Sequence, residues 1–549
     1  MSALPRELIV RLDGAEPLAA LEDLLDGAAL RPLFDDPALP RYARVFADDA
    51  RLDALCDALR AHPAVGAAYV KPETSLARCD EAREPRADAP AETPDFTPRQ
   101  GYLEPAPVGV DAGAAWSVEG GDGAGVGVID IEGAWRFTHE DLAENKGGVI
   151  GGEPSRSRLW RDHGTAVIGV VGGDRNGFGV TGIAPAAKVS AVSVFGGTGS
   201  AGAIVLAAQR SNPGDVILIE LHRPGPRAGF SGQEGYIAIE WWPDDYDAIR
   251  YATSRGVIVV EAAGNGAEDL EHEVYDTPSR GFPDDWANPF RRGDRDSGAV
   301  LAGAGAPPPG THGRSWGPDR SRLDFSNYGA CVDAQGWGRE VTTCGYGELQ
   351  GGRDEDRWYT DTFSGTSSAS PVVVGVIACL QGVLKARQQP VLTPAQARAL
   401  LREVGSPQAD APDRPAAQRV GPRPDLRALL ARLPEGAPSP EGDLTDAAWR
   451  MAGSRLVSLA RGPLAAALAG RLFAGDADGV ARVEAMLRTE AGEALLRAAI
   501  SLGLQALSGR VPAAARLSQE LRVAAMSRAA ESLVGPLTEL LARAGLVGR

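Results

Sequence analysis

The segment from Asp361 to Pro371, with the sequence DTFSGTSSASP, most constrains what this chain can form. An apolar run of small residues, VVVGVIA, follows it at positions 372–378. Small polar residues, then proline, then an apolar run predict the start of a buried helix, with Ser367 at its N-terminal end. Backbone N–H groups are unpaired there and favour negative charge. Ser367 is therefore either a helix cap, which is a common role for serine, or a nucleophile.

A serine hydroxyl becomes a good nucleophile when a base lies beside it and a carboxylate orients that base. Two upstream segments supply candidates. The β-rich segment GVGVID ends at Asp130, and His163 opens a helix-like segment of small residues that extends to position 173. The order Asp130, His163, Ser367 is one of the known chain orders of such a triad.

Together these segments resemble those of the subtilisin-like serine proteases. The resemblance implies an α/β fold with a parallel-sheet catalytic domain and a serine endopeptidase activity. It rests on five segments in the family's order, namely VID at 128–130, HGT at 163–165, AAGNG at 262–266, FSNYG at 325–329 and GTSSASP at 365–371.

The resemblance also assigns roles to single residues. It implies that Ser367 is the nucleophile, that His163 is the general base and later the acid, and that Asp130 orients the imidazole. It implies that the Asn265 amide and the backbone N–H of Ser367 form the oxyanion hole. The alternative for Asn265 is a purely structural turn residue.

The same match gives a further expectation about the substrate cleft. The resemblance implies that three residues of the AAGNG segment line it: Ala262, Ala263 and Gly264.

Two positions depart from the family pattern. After Asp130 the family usually has a small hydroxyl residue and then glycine, whereas this chain has Ile131 and Glu132. Glu132 either raises the pKa of Asp130 by like-charge repulsion or points to solvent, and we expect it to point to solvent. The predicted strand 215–220 ends in Glu220. At this place the family usually has a Ser-Leu-Gly type strand edge that lines the substrate cleft, so the family's substrate preference cannot be assigned to this chain. Glu220 and Glu261 are candidates to line the cleft and favour a basic or polar side chain.

The chain divides into five parts. Residues 1–74 show a β-α-β-α-β pattern and predict a small α+β domain. This domain resembles the inhibitory propeptide of the same proteases, whose C-terminal tail lies in the active-site cleft. The alternative is an independent ferredoxin-like interaction domain. Residues 75–97, charged and rich in Ala and Pro, have the composition of a linker and are the expected site of self-cleavage.

Residues 98–433 are the predicted catalytic domain, in which near-continuous apolar segments indicate parallel strands that are covered on both faces. A Pro- and Gly-rich linker at 434–442 precedes an all-α C-terminal domain at 443–549. We expect that domain to be an adaptor or self-association module. The alternative is a bundle that packs permanently on the protease.

The composition limits the classes of partner that this chain can bind. The net charge of −17 argues against general nucleic-acid binding. No apolar segment reaches the roughly 18 residues that span a bilayer, and the N-terminus lacks a signal-like core, so we expect a cytoplasmic location unless a nonstandard route exports the chain. The five cysteines show no disulfide or metal-binding spacing. We predict no metal and no other cofactor.

The sequence therefore predicts a serine endopeptidase that acts on proteins or peptides and is made as an auto-inhibited precursor. The competing hypothesis is an inactive protease fold that serves as a binding scaffold.

Overall fold

The computed structural model describes residues 5–434, except 14–16, 79–83, 145, 230–231 and 294. Almost all of the predicted linker 434–442 and the whole predicted helical domain 443–549 lie outside the described residues. The described strands are β1 (Glu7–Leu12), β2 (Ala29–Pro32), β3 (Tyr42–Phe46), β4 (Val65–Lys71), β5 (Ser75–Leu76), β6 (Gly127–Glu132), β7 (Lys146–Gly151), β8 (Lys188–Ser193), β9 (Val216–Ile219), β10 (Leu221–Pro224), β11 (Tyr236–Ala238), β12 (Ile258–Ala262), β13 (Val300–Gly305), β14 (Val332–Trp337), β15 (Val341–Cys344) and β16 (Tyr359–Phe363). The described α-helices are α1 (Leu52–Arg60), α2 (Ala112–Trp116), α3 (Arg158–Gly172), α4 (Gly199–Arg210), α5 (Pro243–Ser254), α6 (Thr366–Ala386), α7 (Pro394–Glu403) and α8 (Leu426–Leu430).

A seven-stranded sheet in the order β14-β13-β12-β9-β6-β8-β7 forms the centre of the large domain. All of its pairings are parallel. Strands β9 and β12 are buried along their whole length, which explains why their sequences are apolar without alternation. The predicted α/β architecture with a parallel sheet is confirmed.

Helices cover this sheet on both faces. Strand β6 shows the division, because Val128 packs in the core beside α3 and α6, whereas Ile129 and Ile131 pack in the core beside α4 and α5. Side chains alternate along a strand. Asp130 and Glu132 therefore project from the same face as Val128, toward α3 and α6.

Helix α6 begins at Thr366, directly after Gly365, whose φ of 108° suits glycine. Ser367 thus lies in the first turn, as predicted, but Pro371 is inside the helix rather than at its first position. A proline has no N–H to donate, so the carbonyl of Ser367, four residues earlier, has no hydrogen bond from Pro371. This carbonyl lies close to the N-terminal end of the helix. The helix is apolar and long enough to cross a membrane, yet its apolar part is entirely buried in the core.

The N-terminal segment forms its own antiparallel sheet, in the order β2-β3-β1-β4, with α1 packed against it. Strands β1, β3 and β4 and helix α1 agree with the predicted elements. The first helix of the predicted β-α-β-α-β pattern is a 3₁₀ segment, Leu18–Leu24. Strand β2 was not predicted, because it is a largely exposed edge strand without apolar alternation.

Strand β5 leaves this N-terminal sheet and pairs with β10 of the large domain. The register is antiparallel, with Leu76 opposite Leu221 and Ser75 opposite His222, in a small sheet ordered β11-β10-β5. The first residues of the predicted linker are therefore an ordered strand that lies on the large domain.

Candidate active site

The His163 imidazole, on α3, is paired with a carboxylate from β6. Its Nδ1 lies 2.6 Å from Oε2 of Glu132, and both side chains are fully buried. The neighbouring Gly164 makes this contact sterically possible, because a Cβ at that position would collide with the Glu132 carboxylate. The Phe363 ring packs against the imidazole in a T-shaped contact, with the centroids 5.4 Å apart. Nδ1 is thus fixed by the carboxylate, and Nε2 remains available.

Asp130 does not have the position expected of it. Its Oδ2 accepts a hydrogen bond of 2.6 Å from Nε1 of Trp135, and among the described residues its Oδ1 has no hydrogen-bond partner, His163 included. Glu132 is not directed to solvent either, since it is fully buried. Both carboxylates project from the same face of β6, but Glu132 is the last residue of the strand. Sites in parallel sheets lie beyond that end, so the longer and later side chain meets the imidazole.

Ser367 is buried in the first turn of α6. Its hydroxyl and Nε2 of His163 are both without a hydrogen-bond partner within the described part of the chain. The backbone N–H of Ser367 donates to the carbonyl oxygen of Ala77 at 3.2 Å. The carbonyl of Ala77 therefore occupies the position in which a substrate carbonyl would accept a hydrogen bond from the backbone N–H of a nucleophilic serine.

That carbonyl belongs to the extended segment that continues from β5. Ala77 is fully buried, and a Cβ at Gly365 would collide with its carbonyl oxygen. The next residue, Arg78, is near enough to His163 to lower the pKa of the imidazole. The Ala77 carbonyl thus lies at the backbone N–H of Ser367, and the charge of the next residue, Arg78, acts on His163.

The Asn265 amide has a fixed orientation in this cleft. Its Oδ1 accepts hydrogen bonds from the backbone N–H of Thr366 at 3.0 Å and from the Thr366 hydroxyl at 2.9 Å. Its Nδ2 donates to Oε1 of Gln233 at 3.1 Å. One Nδ2 hydrogen is thus directed to Gln233, and Oδ1 faces the residue that precedes Ser367 in the chain.

Ala262, Ala263 and Gly264 lie at the end of β12 and just after it, and all three are buried. Asn327, from the FSNYG segment, fixes this strand end by donating from Nδ2 to the carbonyls of Ala263 at 2.7 Å and Tyr236 at 2.8 Å. A role of these residues in substrate binding stays a prediction. The structural role of Asn327 was not predicted from sequence.

A third carboxyl group lies beside Glu132. Ile131 of β6 pairs with Ile219 of β9, so Glu220 follows its strand at the level of Glu132, and it accepts a hydrogen bond from the Ser370 hydroxyl. Glu220 is fully buried in this cluster. Glu261, the other glutamate expected in the cleft, is instead buried against the backbone N–H of Glu240, at 3.1 Å.

Burial governs the acid–base properties of this cluster. It raises the pKa of Asp130 to about 7. It also raises the pKa of Glu132 and of Glu220 well above the ordinary range, and repulsion from Asp130 adds to both shifts. Burial lowers the pKa of His163 well below its usual value, with Arg78 and His222 adding to the effect. The imidazole is consequently neutral at neutral pH, which is the protonation state of a general base.

A buried ionic network joins the N-terminal sheet to the large domain. The ammonium of Lys71 lies 2.6 Å from Asp244 and 3.0 Å from Asp245, at the start of α5. Arg223 of β10 donates to Glu7 of β1 at 2.8 Å. Burial alone would raise the pKa of Glu7, but Lys71, Arg44 and Arg223 lower it to about 2. This network fastens β1 and β4 next to the cleft.

Four cysteines of the described residues are free and buried: Cys56, Cys331, Cys344 and Cys379. Within the described ranges, no group of three or more His, Cys, Asp or Glu side chains is arranged to bind a metal ion.

Comparisons with known proteins identify the family of this chain. Residues 121–414 match the model of the subtilase family, Peptidase S8. M-protease of Shouchella clausii (strain KSM-K16) is 30% identical over 269 residues, which are 48% of this chain and 54% of that protein. Subtilisin Savinase of Lederbergia lenta is 29% identical over 269 residues, which are 48% of this chain and 77% of that protein.

One solved structure that matches this chain is fervidolysin from Fervidobacterium pennivorans, described as a keratinolytic enzyme related to subtilisin. It shares 19% identity with a TM-score of 0.48, over 80% of this chain and 62% of that one. This chain therefore spans less than two thirds of M-protease and of fervidolysin.

Proposed function

Because the chain belongs to the subtilase family, we propose that it is a serine endopeptidase whose triad is Glu132, His163 and Ser367. The substrates are proteins or peptides, bound as an extended strand along β10. The observation that carries the proposal is the Ala77 carbonyl, which accepts a hydrogen bond from the backbone N–H of Ser367.

In the first step, Nε2 of His163 takes the proton of the Ser367 hydroxyl as Oγ attacks the substrate carbonyl carbon. Glu132, in its ionised form, accepts the hydrogen bond from Nδ1–H and stabilises the imidazolium that forms, and the positive charge of the imidazolium offsets the burial that raises the pKa of the glutamate. The backbone N–H of Ser367 and the Nδ2 of Asn265 donate hydrogen bonds to the carbonyl oxygen and stabilise the negative charge that develops on it.

The imidazolium then protonates the leaving amine, and the carbon–nitrogen bond breaks to give an ester on Ser367. Water, deprotonated by His163, attacks this ester and releases the carboxylate and the free hydroxyl. The lowered pKa of His163 favours the neutral imidazole, which is the form that accepts the proton of the serine hydroxyl.

We extend the proposal to the precursor. Residues 1–77 act as an inhibitory propeptide, and the first bond that the enzyme cuts is its own Ala77–Arg78 bond. The burial of Ala77 and the pairing of β5 with β10 support this assignment. The bond lies inside the segment that the sequence predicts for self-cleavage.

Labelling with a fluorophosphonate, which reacts with activated serines, tests the proposal. The wild-type chain should be labelled and should hydrolyse a generic peptide substrate, whereas Ser367→Ala should do neither while keeping the wild-type melting temperature. A wild-type chain that is neither labelled nor active would instead support the inactive scaffold.

A further inference from the structure

Gln233 bridges the bound segment and the oxyanion donor. It lies between β10 and β11, and its side chain is half-buried. Its Nε2 donates to the carbonyl oxygen of Leu76 at 2.7 Å, and its Oε1 accepts from Nδ2 of Asn265 at 3.1 Å. A glutamine amide carries both a donor and an acceptor, so one side chain can satisfy both groups.

We propose that Gln233 is a positioning residue that couples substrate docking to the oxyanion hole. It binds the carbonyl one residue before the bond to be cut, and at the same time it fixes the amide of Asn265. This inference rests on the proposed endopeptidase function and adds a residue that the family resemblance did not indicate.

The coupling follows from how the Asn265 amide is restrained. Its Oδ1 is held by the two donors of Thr366, and one Nδ2 hydrogen is directed to Gln233. A planar amide fixed at both ends has one remaining hydrogen, whose direction is then set. A preorganised donor stabilises a developing oxyanion without reorganisation at the moment of reaction, which is the source of its effect on rate.

The loop that carries Gln233 is itself fastened to the Asn265 turn. The N–H of Gly235 donates to the carbonyl of Gly266 at 2.9 Å. A Cβ on Gly266 would collide with the backbone of Tyr236, so glycine permits this close approach. On the other side, the N–H of Asn265 donates to Nδ1 of His222 at 3.3 Å. Gln233 and Asn265 thus belong to one connected unit beside β10.

Two substitutions at Gln233 distinguish the role of its donor from the role of its acceptor. Gln233→Ala removes both contacts, and it should lower kcat about tenfold and raise KM several-fold for a peptide substrate. Gln233→Glu keeps an acceptor for Asn265 but loses the donor for the substrate carbonyl, so it should mainly raise KM. Glu234→Ala, at the exposed neighbouring position, is the matched control and should behave as wild type.

A double-mutant cycle with Asn265→Ala decides whether Gln233 acts through that residue. In the Asn265→Ala background, Gln233→Ala should still raise KM but should no longer lower kcat. Melting temperatures of all variants and the first-order rate of Ala77–Arg78 cleavage in the full chain accompany the peptide assay. The cleavage rate should follow kcat.

Two results would overturn the inference while leaving the endopeptidase proposal intact. One is an active wild type in which Gln233→Ala equals Glu234→Ala. The other is an equal loss of kcat with and without Asn265. A wild type that shows no Ser367-dependent labelling or cleavage would reject the endopeptidase proposal and this inference with it.

Discussion

Nδ1 of His163 lies 2.6 Å from Oε2 of Glu132. Glu132 lies two residues further along β6 than Asp130, the residue that the family resemblance implies for orienting the imidazole. Asp130 is occupied by the indole of Trp135 instead. If the chain cleaves peptides, the carboxylate that supports the imidazolium is therefore a glutamate. The two acids can be distinguished by experiment, because each has an isosteric amide.

Glu132→Gln should lower kcat by about three to four orders of magnitude, because an amide cannot stabilise the imidazolium and favours the wrong tautomer of His163. Asp130→Asn should stay within about tenfold of wild type, because the amide oxygen still accepts from Trp135 and no contact with His163 is lost. Peptide hydrolysis by both purified variants measures this. The reverse order of effects would restore Asp130 as the triad acid.

The mature protein should begin at Arg78. Ala77 presents its carbonyl to the N–H of Ser367, and no other described peptide bond has this contact. Intact mass and N-terminal sequencing of the wild type should give a cut after Ala77, and Ser367→Ala should remain full length. A cut elsewhere between residues 78 and 97 would mean that the bound segment is an inhibitor rather than the first substrate.

Stability should depend on pH through Asp130. Its pKa rises from 3.8 to about 7 on folding, mainly by burial. Between pH 3.8 and about 7 the folded state binds the proton on Asp130 and the unfolded state does not. The stability that this proton contributes is therefore fully present below pH 3.8 and is lost as the pH rises through about 7. The full loss corresponds to roughly 4 kcal/mol.

Asp130→Asn removes that dependence. Its free energy of unfolding should resemble that of wild type near the unfolded pKa and exceed it increasingly up to about pH 8, as measured by denaturant titration. The other buried carboxyls are present in both proteins, but repulsion from Asp130 adds to the pKa shifts of Glu132 and Glu220, so the difference reports Asp130 together with its coupling to these two groups. A difference that does not change with pH would show that Asp130 is ionised in the folded protein.

The sequence predicted most of the fold because the parallel strands and α6 carry long apolar segments that few other structures accommodate. It also singled out Ser367, His163 and Asn265, each of which stands in a motif with its own glycine, and their catalytic roles stay predictions. It failed at Asp130 and Glu132, because two acids at alternate positions on a strand face the same side. The signal that favours Glu132 is its place at the end of the strand and directly before a glycine.

Contacts between segments that are distant in the chain could not be predicted from the sequence. Nothing in the linker-like composition of residues 75–97 indicates that its first residues pair with β10. The loop residue Gln233 has no motif of its own, and its role depends on where Leu76 and Asn265 meet. Such contacts follow from the tertiary fold rather than from local pattern.

The last prediction concerns the N-terminal domain after cleavage. Lys71 is buried between Asp244 and Asp245, and removing one partner from a buried ion pair typically costs about 3–5 kcal/mol. Lys71→Met should therefore weaken the association of fragment 1–77 with the rest of the chain by about two to three orders of magnitude. Peptidase activity should appear earlier after cleavage, and the fragment should separate during size-exclusion chromatography.

Arg6→Met is the matched control, because it removes the same charge from the same domain at exposed pairs with Asp49 and Asp53. That variant should keep the fragment bound as in wild type. Asp245→Asn tests the network from the large domain and should also speed release, which separates a lost contact from a misfolded N-terminal sheet. If the fragment remains as tightly bound in Lys71→Met and Asp245→Asn as in Arg6→Met, the apolar contacts and the β5–β10 pairing retain it, and the ionic network does not.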